Sequence, residues 1–231
     1  MRSIEIPFPT LAGGGGTTVN LRKILGGNLF DASDWVKWYG IPAEACAGAP
    51  PFPWGLEFLH ATCPFFPKWK VRQTHFAFLG MSAVGGESLT LLRFEKFHPP
   101  GRKPRFDSGV TPWYGLEVFT WRTLEFRWYF LLKRVVPGSL NLSYAAQTAL
   151  LPSGYEPPLA LEEAMKDIFF YWKHSFWRYL NSDCLARCRD RTADGAVVEV
   201  GNFDKAGLSI SHSAPDEPSP DSGIGASCKC P

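Results

Sequence analysis

Residues 122–132 read RTLEFRWYFLL and residues 158–176 read PLALEEAMKDIFFYWKHSF. In the first stretch Leu124, Phe126, Trp128, Phe130 and Leu132 alternate with Thr123, Glu125 and Arg127, a period of two that predicts a half-buried strand. In the second, Leu161, Met165, Ile168, Trp172 and Phe176 recur every three or four residues, which predicts a helix with one apolar face and with Lys166, Lys173 and Arg178 turned elsewhere. Pro158 suits a first helical turn, and Glu162 and Glu163 suit the positive end of the helix dipole. The two apolar faces are expected to pack on each other, with Trp128 inside.

Working outward, HFAFL at 75–79 is a short apolar run closed by Gly80 and reads as a buried strand. Residues 89–97 carry a partial helical stripe stopped by Pro99 and Pro100. Asp31 or Ser33 caps a short helix that projects Trp35 and Trp38 on one side. After the long helix, residues 187–203 read as a hairpin turning at Asp194-Gly195. Short strands follow around Leu208–Ile210 and at 224–230, with 213–222 as a long polar loop between them and a disordered stretch as the alternative. The order of elements predicts an α+β fold: a single mixed domain with short antiparallel strands and two main helices, spanning 56–231. Residues 1–55 are expected to be a loosely structured segment packing on it.

The chain has 231 residues, 45% of them apolar and 15% aromatic, with nine Trp and eighteen Phe. That composition excludes disorder throughout and supports a large core. The net charge of +2 is too small to imply nucleic acid on its own. Pro7 and Pro9 interrupt the region where a signal peptide needs an apolar run, and no stretch reaches the length of a membrane span. A cytoplasmic, reducing location with six free cysteines is therefore expected.

Motifs with chemistry are incomplete. Gly80-Met-Ser82-Ala-Val-Gly85 has its second glycine one place late for a nucleophile elbow. His60-x-x-Cys63, Cys184-x3-Cys188 and Cys228-x-Cys230 lack the two tight pairs of a zinc site. The Gly13–Gly16 run has no P-loop lysine. No metal or cofactor is expected, and no catalytic residues. Were the chain an enzyme, His75 and Asp107 would be its candidates. Arg93, Lys96, His98, Arg102, Lys103 and Arg105, interleaved with Phe94, Phe97 and Phe106, offer a second alternative: a nucleic-acid-binding accessory protein using the basic stretch 93–105.

Three groups of residues carry a family resemblance. They are THFAFLG at 74–80 with ESLTL at 87–91; RWYFLL at 127–132 with VVPGSLNLSY at 135–144 and Gln147; and VGNFDKAGLSIS at 200–211 with GIGASCK at 223–229. Over residues 58–229 the chain resembles uncharacterised bacterial variable proteins of diversity-generating retroelements. The resemblance implies a C-type-lectin-like fold and a ligand-binding, display-type function. It further implies a C-terminal segment, 204–222, that is rewritten by a reverse transcriptase mutating adenines. Phe203, Leu208, Ile210 and Ile224 would be scaffold. The binding residues would be Asp204, Lys205, Ser209, Ser211, His212, Ser213, Asp216, Glu217, Asp221 and Ser222. Their carboxylates outnumber Lys205, so the expected partner is a polar or basic ligand, a protein rather than a nucleic acid or a membrane. The segment lacks Trp, Tyr and Arg, so strong binding would need a nearby aromatic such as Phe203. Residues 204–222 are expected to tolerate substitution as surface.

Overall fold

The computed structural model describes residues 20–107, 112–174 and 179–229. Two sheets enclose one long helix, and the fold is mixed α+β. The first sheet has five strands: β1 (Leu29–Phe30), β2 (His75–Leu79), β3 (Trp128–Leu132), β4 (Tyr155–Glu156) and, at the C-terminus, β9 (Ser227–Cys228). Their order is β1-β2-β3-β9-β4. Only β1 and β2 run parallel; the other pairs are antiparallel. The second sheet has four strands: β5 (Leu185–Arg191), β6 (Val197–Gly201), β7 (Ser209–Ser213) and β8 (Ser222–Ile224), in the order β8-β5-β6-β7. The β5–β6 hairpin turns at Asp194-Gly195, with φ of +90° at the glycine, the residue type that tolerates such a turn.

β3 is shorter than the alternation over 122–132 predicts: residues 122–127 are irregular and follow a 3-10 turn at Val118–Trp121. All five β3 residues are buried, because both sheet faces are covered. On one face Trp128 and Phe130 meet Phe52 and Trp54 at ring distances of 5.4 and 5.3 Å, and Trp128 Nε1 donates to the Pro50 carbonyl at 2.8 Å. On the other, Tyr129 stacks beside Phe78 at 5.2 Å, and Phe78 meets Phe169 of the helix at 5.6 Å. The long helix thus packs over the Tyr129 and Leu131 side of β3, while the even-numbered residues face the 50–54 segment. Phe126, expected in the core, is half-buried.

That helix, which we label α2 (Ala160–Lys173), follows α1 (Ala32–Tyr39) in this numbering. Its first turn is capped from outside: Asp190 Oδ2 of β5 accepts from Ala160 N at 2.7 Å. α2 packs against β1 and β2 of the first sheet and β5 and β6 of the second. A helix held between two sheets has no solvent face. Lys166, expected to point away from the core, is fully buried with Glu162, Glu163 and Asp167. These charges pair internally, as buried charges must: Lys166 Nζ with Glu163 and, at 3.3 Å, with Asp167; Glu162 with Arg189 at 3.3 Å. Trp172 is half-buried and stacks on Trp38 at 4.5 Å. Phe176 and Arg178 lie outside the described residues.

The segment before residue 56 is knitted into the core from residue 20 onward. Phe30 stacks on Phe169 at 3.9 Å, Asp31 caps α1 in a capping box with Asp34, and Trp35 Nε1 donates to the Leu79 carbonyl at 2.7 Å.

At the C-terminus the single strand expected near 224–230 is two. β8 belongs to the second sheet and β9 to the first, with Gly225-Ala226 crossing between them. The crossing is tight: a Cβ on Gly223 would sit 2.6 Å from Ser139 Oγ, and one on Gly225 2.8 Å from Pro158 Cγ. Among the described residues no helix is long and apolar enough to cross a membrane.

Candidate recognition surface

β7 is an edge strand of the second sheet, paired with β6 from Val197↔Ser213 to Gly201↔Ser209. Two loops flank it. The first, at 204–207, is held by the basic segment: Phe106 bridges Leu208, Leu208 N donates to the Arg105 carbonyl at 2.9 Å, and Arg105 Nε donates to the Ala206 carbonyl at 2.6 Å. The second, at 214–221, runs back from the end of β7 to the start of β8. It is pinned at alternate carbonyls. Pro215 accepts from Tyr144 N at 2.8 Å, Glu217 from Arg187 Nη2 at 2.8 Å, Ser219 from Asn141 N at 2.8 Å, and Asp221 from Leu185 N at 2.7 Å. The side chains of Asp216, Glu217 and Asp221 are exposed, as are Asp204, Lys205 and His212. An ordered loop, not a disordered stretch, occupies 214–221.

The other expected binding residues are not all available. Ser222 is buried within β8, its carbonyl accepting from Gln147 Nε2 at 2.9 Å. Ser213 is half-buried; its hydroxyl donates to Glu199 Oε1 at 2.6 Å and accepts from Arg187 Nη2 at 2.9 Å. These two are structural: Ser213 is turned toward the buried Arg187 guanidinium, and Ser222 is held in β8 over the buried Gln147 amide. Ser209 and Ser211 are half-buried. Phe203, Leu208, Ile210 and Ile224 are buried, so Phe203 cannot supply an aromatic contact.

An aromatic contact comes instead from a segment that the sequence reading passed over. Trp113 lies 4.4 Å from the His212 ring and donates from Nε1 to the Ile210 carbonyl at 2.9 Å. Glu117 accepts from Ala193 N at the hairpin turn at 2.8 Å. Along this segment Leu116 is 94% exposed, Val118 73% and Trp121 63%, a density of bare apolar side chains that surfaces seldom carry without a partner. The signal was in the sequence: WYGLEVFTW at 113–121 is apolar yet has neither strand nor helix period.

The alternatives fare differently. In the basic stretch, His98, Phe94 and Phe106 are buried, and the half-buried Phe97 lies under Arg93 at 5.3 Å while Arg93 pairs with Glu87 at 3.1 Å, so two of its three phenylalanine rings are turned to the core and the third is already covered by a cation. His75 is sealed between Thr74 and Tyr155, with Nε2 3.1 Å from the Tyr155 hydroxyl, and burial pushes its pKa down to about 3. Asp107 is exposed beside Leu208 on the second sheet, so the two are not brought together. Burial raises the Cys184 thiol to about 11 and Cys188 well above its ordinary value, which removes the thiolate a nucleophile needs. Among the described residues no group of three or more His, Cys, Asp or Glu side chains is placed to hold a metal ion. No protein-family model, no curated protein and no solved structure matches this chain.

Proposed function

We propose that this chain is a binding protein of the display type, recognising a protein partner through the exposed side chains of 204–221 and the adjoining apolar segment 113–121. The observation that carries the reading is the pinning of 214–221 at the carbonyls of Pro215, Glu217, Ser219 and Asp221. Main-chain anchors hold the loop whatever side chains it bears, so Asp216, Glu217 and Asp221 can change without loss of the scaffold. Such decoupling is what a recognition segment subject to diversification requires. The exposed carboxylates favour a basic partner, and Trp113, Leu116 and Trp121 supply the apolar anchor that binding energy usually concentrates on. A C-type-lectin-like arrangement goes with this reading, supported by the return of β9 into the first sheet between β3 and β4. Diversification itself is tested in the neighbouring DNA, by a near-copy of the 3′ coding segment differing at adenines beside a reverse transcriptase gene.

Binding is tested by selecting a random peptide library on the purified protein and measuring the selected peptides against variants. We expect peptides rich in Lys, Arg and aliphatic residues. Their binding should fall at least about tenfold with Asp216→Lys/Asp221→Lys and with Leu116→Ser/Trp121→Ser, with thermal unfolding unchanged. Selected peptides that bind both variants as well as the wild type would overturn the surface.

A further inference from the structure

A cavity of ≈ 750 Å³ opens on a different part of the molecule, between the 66–74 segment, the end of β3 and the end of α2. It shares no residue with the recognition surface. We propose that it is a binding site for a small organic anion with a flat aromatic body, such as an aryl phosphate or aryl carboxylate.

The walls supply the flat contacts. Phe170 projects from the last turn of α2, stacked on His174 at 3.9 Å and edge-on to Phe76 at 5.9 Å. Tyr179 is braced by Tyr171 at 5.2 Å and by Phe203 at 4.9 Å. Phe170 is 5% exposed and offers the cavity an edge, while the half-buried Tyr179 offers a ring face; both are held by core neighbours, so little ordering cost remains when a ligand packs on them. Trp69 lines the same cavity while 53% exposed, which leaves a third ring able to close over a guest.

The charge is one-sided. Lys133 and Arg134 both line the cavity, and its described lining contains no carboxylate. Lys133 is fixed by its backbone N–H, which donates to the Thr74 carbonyl at 2.9 Å, and by Nζ, which donates to Asn28 Oδ1 at 3.2 Å. The ammonium lies 5.7 Å from the Phe170 ring. Arg134 is exposed and makes no ion pair with any described residue. Guanidinium next to ammonium, with no acid between them, is arranged for an oxyanion, which Arg grips with two parallel N–H donors. Gln73 adds an amide: its Oε1 accepts from Lys70 N at 2.8 Å, which leaves its NH2 as the donor turned to a ligand. The volume falls in the range of small-molecule sites and fits one or two fused rings with a single anionic group. A metal ion or an organic cation is disfavoured by the two like charges.

The probe is 4-methylumbelliferyl phosphate, titrated by calorimetry against the full chain, with 4-methylumbelliferone and inorganic phosphate as the ring and the anion taken separately. We expect one site per chain with a dissociation constant below about 1 mM, and binding at least about tenfold weaker for either part alone. Arg134→Glu should weaken the aryl phosphate by about tenfold or more without changing thermal unfolding, since Arg134 is exposed and its side chain makes no hydrogen bond or ion pair with another described residue. Phe170→Leu should weaken the ring contribution while leaving the Arg134 effect in place. No binding of the aryl phosphate at about 1 mM, or equal binding by Arg134→Glu and the wild type, would overturn the site.

Discussion

Arg187 Nη2 donates to the main-chain carbonyl of Glu217 at 2.8 Å, joining a fully buried guanidinium to a loop whose side chains lie in solvent. The same side chain donates from Nε to Glu199 Oε1 at 2.9 Å, from Nη1 to the Leu142 carbonyl at 3.2 Å, and from Nη2 to Ser213 Oγ at 2.9 Å. Gln147 completes the cluster, donating to the carbonyls of Ser139 and Ser222 at 2.7 and 2.9 Å. One cation therefore organises β5, β6, β7, the 139–147 segment and the return loop at once.

Removing that cation leaves the buried Glu199 carboxylate without its counter-charge and takes a donor from the Leu142 and Glu217 carbonyls. Arg187→Met is expected to destabilise by about 3–5 kcal/mol, and to make 214–221 the first site of proteolysis. Asp216→Lys/Asp221→Lys should stay within about 0.5 kcal/mol, and Ser213→Ala should cost about 1–3 kcal/mol. The uniform tolerance expected for 204–222 is thus replaced by tolerance at the exposed positions alone. Chemical denaturation of the three variants measures this; an Arg187→Met loss under about 1 kcal/mol would mean that the cluster is dispensable.

Trp128 carries the other sheet. It is 2% exposed, packs on Phe52 and donates to the Pro50 carbonyl. Trp128→Ala leaves a large cavity and removes the hydrogen bond from β3 to the Pro50 carbonyl. The expected loss is about 3–5 kcal/mol. Denaturation midpoints give the number, and a loss near that of an exposed residue would contradict the packing.

Stability should depend on pH in two opposed ways. Burial lowers His75 to about 3 and His98 to about 4, so the unfolded chain takes up their protons first. Their contribution is complete above the ordinary histidine value, near 6.5, and is lost as pH falls below it, by up to about 1.4 kcal/mol per pH unit for each. Glu162 runs the other way: burial raises it to about 7 despite Arg189 nearby, so its contribution is complete below its unfolded value and is lost as pH rises toward 7. Burial likewise raises Asp167. Denaturation of wild type, His98→Gln and Glu162→Gln from pH 4 to 8 separates the two. His98→Gln should flatten the acid limb, and Glu162→Gln should gain on the wild type between pH 5 and 7. Parallel curves for all three proteins would contradict these shifts.

The buried strand at 75–79, the Asp194-Gly195 hairpin, the Asp31 cap and the long helix were all legible from the sequence, because each is decided by neighbours within a few residues: an apolar run, a turn dipeptide, a side chain that reaches its own helix, a 3.6-residue period. What covers an element is decided elsewhere in the chain. The apolar stripe of α2 marks one buried face, but Lys166 is buried too, its ammonium reaching the Leu132 carbonyl of β3 and the carboxylates of Glu163 and Asp167. Alternation in 122–132 separates two faces only over 128–132, and the even-numbered face expected against α2 packs instead on residues 50–54, which leaves the odd-numbered face to the helix. Ser213 and Ser222 look like surface serines by composition, and only the arrival of Arg187 and Gln147 beneath them makes them structural. Ile224 and Ser227, three residues apart, sit in different sheets, an outcome set by hydrogen-bond partners at 185–187, 131 and 155–156. Local propensity determined which segments are helix, strand and turn; the pairing of distant backbones and the burial of charge were decided only when the two sheets closed around one helix.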